Sequence, residues 1–154
     1  MSTRAYIGIR EDNGSVRAIY SHWGGHPTEL GYDLLTNFKT KKQIEELLEI
    51  DGYISCLYDT YAWEAEDFKK FLCGGEKFQT LSNTSDVLIR LGSDKDIIKT
   101  DTIEELFNDV SVDYIYLFNS EISEWDAYER IRILHSYEKI TNLKEVCEIE
   151  EAEK

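Results

Sequence analysis

The twelve residues from Tyr20 to Gly31, Tyr-Ser-His-Trp-Gly-Gly-His-Pro-Thr-Glu-Leu-Gly, constrain the fold of this chain more than any other stretch. They hold its only proline, two of its three histidines, one of its three tryptophans and three of its nine glycines. The Gly24-Gly25 pair allows backbone conformations closed to other residues, while Pro27 fixes its own φ and biases His26 toward an extended form. The chain must turn sharply here. Ser15 to His22, just upstream, alternates and is rich in strand formers, whereas Leu30, Leu34, Leu35 and Phe38 downstream recur at helical spacing. The stretch therefore joins a strand's end to a helix's start. Thr28 is placed to cap that helix, although Gly31 stands where the acid of a capping box would be.

The remaining elements follow in order. Arg4 to Arg10 reads as a strand, with Ala5, Ile7 and Ile9 on one side and Tyr6 and Gly8 on the other. Asn13-Gly14 turns it back on the next strand as an antiparallel hairpin. A second helix runs from a Thr40 cap to Ile50, closed by Asp51-Gly52. Tyr53 to Trp63 is dense in aromatics, suits a strand, a buried loop or a ligand platform, and is read as irregular. Glu64 to Cys73 predicts a short helix, Glu76 to Asn83 a strand or connector, Ser85 to Gly92 a strand, and Ile97 to Lys99 a brief strand. A helix capped by Thr100 or Asp101 extends to Asn108. Val112 to Phe118 and Glu124 to Leu134 form a late hairpin, and Thr141 to Ala152 a tail helix. The sum is an α+β fold, an antiparallel or mixed sheet with terminal hairpins and short helices packed on one face. Residues 1–140 read as one domain and 141–154 as an acidic helical tail.

Charge narrows the function classes. With 154 residues and a net charge of −14, the chain is unsuited to direct contact with nucleic acid phosphates. Residues 1–77 hold 13 acids and 9 bases, and residues 78–154 hold 18 acids and 8 bases, so the excess lies in the second half. Such a surface steers toward a cationic partner. Cys56, Cys73 and Cys147 have no short-spaced pair, which points to neither a disulfide framework nor a zinc knuckle. The absence of a signal-peptide pattern and of a long apolar run suggests a cytoplasmic protein away from membranes.

No phosphate loop, dinucleotide fingerprint, nucleophile elbow or paired-cysteine motif is present. His22 and His26, four residues apart, match no metal signature without a further ligand, and His135 reads as a surface histidine. No catalytic residue, cofactor or metal is assigned. The residues placed for recognition are His22, Trp23, Gly25 and His26 in the organising stretch, with Trp125, Glu121, Glu124, Asp126 and Glu129 in the late hairpin.

Thr3-Arg4, Ile7-Gly8, the Asn13-Gly14 turn, and then Tyr20-Ser-His22-Trp23-Gly24-Gly25-His26-Pro27 with Gly31 carry a resemblance. The pattern is similar to the opening of a family of small, mostly uncharacterised proteins of bacteriophages and prophages. It differs at Gly24, where Asp is usual, and at His26, where Tyr is usual. The likeness covers about the first thirty residues well and the rest loosely, through the late strand pair ending near Trp125 to Tyr128. It implies a phage or mobile-element origin, and it supplies no catalytic residues; the cytoplasm read from the cysteines and the missing signal pattern would then be the host's. Two function classes follow. In one, the chain occupies a host protein with a basic surface, for instance a defence component such as a CRISPR effector, as monomer or homodimer. In the other, the Tyr20 to Gly31 loop binds or degrades a small molecule such as a nucleotide, with His22 as the acid–base residue and the loop amides on a phosphate.

Overall fold

The computed structural model describes residues 3–21, 25–49, 54–59, 77–81, 84–91, 97–108, 112–131 and 136–147; for 54–59, 77–81 and 84–91 it defines the backbone and its pairing. Two hairpins form its centre. Strands β1 (Ala5–Arg10) and β2 (Val16–Ser21) pair antiparallel through the Asn13-Gly14 turn, where Gly14 takes φ +90° and its N–H donates to Glu11 O at 2.9 Å. The second hairpin comprises β7 (Tyr114–Asn119) and β8 (Glu124–Ile131). The hairpins meet through a parallel β1–β7 pairing, with Ala5 beside Tyr114 and Arg10 beside Asn119. The sheet is therefore mixed.

Five further strands complete it: β3 (Ile54–Asp59), β4 (Lys77–Leu81), β5 (Thr84–Leu91), β6 (Ile97–Thr100) and β9 (Ser136–Lys139). The order is β4-β5-β3-β2-β1-β7-β8-β9, and β6 also pairs with β2. Two strands share the outer edge of β2: Val16 to Ile19 pair with β6, and Ser21 pairs with Ile54 of β3.

The organising stretch delivers a π-helical turn, Pro27–Gly31, that runs directly into α1 (Tyr32–Asn37); α2 (Lys41–Leu48) follows. Short α3 (Ile103–Phe107) and α4 (Leu143–Val146) lie later in the chain. Because successive strand residues point to opposite faces, the sheet builds two cores. Ala5, Ile7, Ile9, Ile19, Tyr116, Phe118 and Ala127 pack beneath Leu30, Leu34, Phe38, Ile44 and Leu47 of the turn, α1 and α2. Tyr6, Val16, Ala18, Ile115, Leu117 and Tyr128 form the other core, and α3 covers it with Ile103 and Leu106.

The α+β class, the mixed sheet and the hairpins agree with the sequence reading, and several details differ from it: the helices cover both faces of the sheet, not one, because α3 packs on the core opposite α1 and α2. Tyr53 to Trp63 is not irregular over its described part, because β3 is flanked by β5 along its length and by β2 at Ile54. The cap of α3 is Thr102, whose hydroxyl accepts from Glu105 N at 3.3 Å; Thr100 is held in β6 opposite Val16. As expected, Thr40 caps α2, and a Gln43 side chain completes the capping box. Strand β9 is an addition at the sheet's edge. The tail helix is described over Leu143–Val146, followed by a fully buried Cys147. The expected helix at Glu64 to Cys73, the Asp51-Gly52 stop and His135 lie outside the described residues.

Candidate functional site

The organising loop returns to the sheet at Gly25. Its N–H donates to Thr3 O at 2.9 Å, and its carbonyl accepts the buried Tyr116 hydroxyl at 2.7 Å. A side chain here would collide, because a Cβ would lie 2.8 Å from Thr3 O and 3.1 Å from the Ala5 Cβ. Gly25 thus lets the loop rest on β1, and its role is positional.

The helix start then differs from expectation. His26, not Thr28, is the N-cap: its backbone is extended, and its imidazole Nδ1 accepts the Thr28 N–H at 3.2 Å, with the Thr28 hydroxyl 2.9 Å away. Pro27 occupies the first turn, where no N–H is needed. The cap fixes the exposed His26 ring edge-on to the Tyr114 ring, with centroids 5.8 Å apart. Tyr114 in turn stacks on Tyr116 at 6.2 Å.

Strand register then extends the polar end of this face outward. Ser21, Ala5, Tyr114, Glu129 and Glu138 are successive cross-strand partners through β2, β1, β7, β8 and β9. At the inner end the buried Ser21 hydroxyl has no hydrogen-bond partner among the described residues. At the outer end Glu129 and Glu138 are both exposed and directly opposite each other. Neither has an ion-pair partner among the described residues. Like charges directly opposite each other destabilise a sheet.

Carboxylates add to burial around the Tyr114 ring. Burial first, then the Glu129 and Asp113 carboxylates, hold the Tyr114 hydroxyl above the ordinary tyrosine range. Burial does the same to Tyr116 more strongly, with Cys147, Tyr114, Glu129 and Glu29 adding to it. Cys147, packed close to Gly31 and Tyr116, is pushed up to about 11 by burial. Its thiol stays protonated and is no nucleophile near neutral pH.

The other residues placed for recognition are dispersed. His22 and Trp23 lie outside the described residues. Trp125 is half-buried edge-on to Phe118, and its indole N–H donates to Phe38 O at 2.8 Å, so it fastens the end of α1 to the sheet. Glu129 shares that face of β8. Asp126 lies on the opposite face with Tyr128 and pairs with Lys139 at 3.3 Å; alternation puts Glu124 there too. Glu121 is exposed in the turn at the far end of the hairpin. Among the described residues, Gly25, His26 and Glu129 are thus brought to one end of the sheet, around Tyr114 and Tyr116.

Sequence reading missed Tyr114, Tyr116 and Glu138, since only the register across three strands assembles them. The one available signal was the strand-like Val112 to Phe118 run, with tyrosines two apart.

A phosphate cradle finds few donors in the described loop. The amides of Gly25, Thr28, Glu29 and Leu30 are each engaged by Thr3 O, His26 Nδ1 or His26 O. No group of three His, Cys, Asp or Glu side chains is placed for a metal among the described residues. Nor is any helix among them long and apolar enough to cross a membrane. No protein-family model, curated protein or solved structure matches the chain.

Proposed function

We propose that this chain is a small acidic phage-encoded binding protein that occupies a basic surface of a host protein, as a counter-defence inhibitor of a CRISPR effector would. Its N-terminal pattern and its net charge of −14 support the reading. The observation that carries it is the pair Glu129 and Glu138, exposed, opposed across β8 and β9, and unneutralised by any described cation. A cationic partner surface removes that repulsion on docking, so the arrangement costs the free chain and favours the complex.

The test is affinity purification from a bacterial host lysate with the native chain and with a Glu129→Lys/Glu138→Lys variant. The native chain recovers a stoichiometric protein partner that the variant does not, and the purified pair associates more slowly as salt rises. A partner recovered equally by both chains, or association indifferent to salt, contradicts the proposal.

A further inference from the structure

We propose that strands β3, β4 and β5 form one unit that opens away from the central sheet at a single seam, the pairing of Ser21 with Ile54.

The register shows how little main chain joins the two parts. From Val16 to Ile19 the outer edge of β2 is taken by β6, so β3 reaches that edge only where Ser21 stands beside Ile54, in parallel. Within the unit the pairing is long. Strand β5 runs antiparallel to β3 from Val87 to Leu91 and antiparallel to β4 from Thr84 to Leu91. The β3–β5 register also shifts between Ile54 and Cys56, which sets the seam residue out of step with the strand that it begins. The central strand β1 has no such join, because all six of its residues pair with β2 on one side and with β7 on the other. A sheet divided in this way opens first at the join, since local opening costs only the contacts that it breaks.

The side chain at the seam adds to the effect. Ser21 is fully buried, and its hydroxyl has no hydrogen-bond partner among the described residues. By alternation it shares the face of Ile19, on which α1 also packs. A hydroxyl buried without a partner has lost its hydration for nothing in return, and it recovers that hydration when water enters. The closed seam therefore carries a cost that opening removes. Helix α1 lies close to both β3 and β5 and holds the unit shut in the closed form. Opening uncovers that side of α1.

Hydrogen exchange of the full chain, followed by NMR in increasing urea, tests the unit on two strands that are each flanked on both sides. Amides of Leu88 and Ile89 in β5 exchange at least about a hundredfold faster than those of Ile7 and Gly8 in β1, and respond more weakly to urea, because opening exposes only part of the buried surface. Ser21→Ala removes the unpartnered hydroxyl and slows exchange of the β5 amides about tenfold. Equal rates and equal urea dependence in β5 and β1 overturn the proposal, as does β5 exchange without any protection. A Ser21→Ala chain whose β5 amides exchange as fast as the native ones, or faster, overturns it as well.

Discussion

The two ends of the central sheet treat charge in opposite ways. At the turn end, the Glu11 carboxylate meets Arg17 at 3.2 Å and Lys41 at 3.0 Å, and Arg17 also reaches Glu45 at 3.3 Å. There the two hairpin turns are tied together, since the Ser120 amide and hydroxyl both donate to Arg10 O and the hydroxyl lies 3.2 Å from Asp12. At the loop end, Glu29, Glu129 and Glu138 stand exposed with no ion pair among the described residues, while Asp113 lies 4.0 Å from Arg130. The turn end leaves Asp12, Glu121 and Glu124 exposed as well, so the ends differ in how one carboxylate is held: Glu11 is shared by two cations, whereas Glu129 faces a second carboxylate.

The comparison breaks first at Gly25. Gly25→Ala forces a Cβ into Thr3 O and lowers stability by about 2–3 kcal/mol in urea unfolding, by lifting the loop off β1. A neutral result would mean that the loop is not seated as described. Tyr116→Phe removes the buried donor to Gly25 O and costs about 1–2 kcal/mol, read as a lower melting temperature.

Charge substitutions sharpen the contrast because their signs differ. Glu11→Gln at the turn end destabilises by up to about 1 kcal/mol. Glu138→Lys at the loop end stabilises by a few tenths to about 1 kcal/mol, by turning a like-charged pair into an attractive one. Two falls, or two rises, in melting temperature would erase the distinction. Acid adds a check on the turn end. Burial raises the Glu11 pKa, but hydrogen bonds and charge from Lys41 and Arg17 outweigh it and leave the carboxyl below its ordinary 4.5. A lowered carboxylate pKa contributes stability above the unfolded value that is lost as pH falls through the folded value. The stability difference between native chain and Glu11→Gln therefore shrinks as pH drops below 4.5. The smallest effect belongs to Ser123, a non-glycine residue at φ +54° in the β7–β8 turn. Ser123→Gly raises stability by a few tenths of a kcal/mol up to about 1 kcal/mol, without altering any binding at the loop end.

Much of this fold is legible in the residues. The Asn13-Gly14 turn, the alternation of Ala5, Ile7 and Ile9, and the Thr40 cap are local signals, and each has its expected counterpart. Signals that depend on distant partners are not legible. The parallel seam between β1 and β7 joins residues more than a hundred positions apart, and β9 is four residues, Ser-Tyr-Glu-Lys, with no long alternation to announce it. His26 as a cap is invisible to a reading that expects a hydroxyl or carboxylate in that place. The loop was identifiable from its glycines and proline, but its neighbours Tyr114 and Glu138 were not, because register alone brings them to it.

Glu129 and Glu138 oppose each other across β8 and β9 in the free chain. A double-mutant cycle of Glu129→Gln and Glu138→Gln, read as unfolding free energy at low salt, measures that coupling directly. Each single variant is expected to be more stable than the native chain, and the second substitution to add little once the first is made. Destabilisation by both single variants, or fully additive effects, would contradict it.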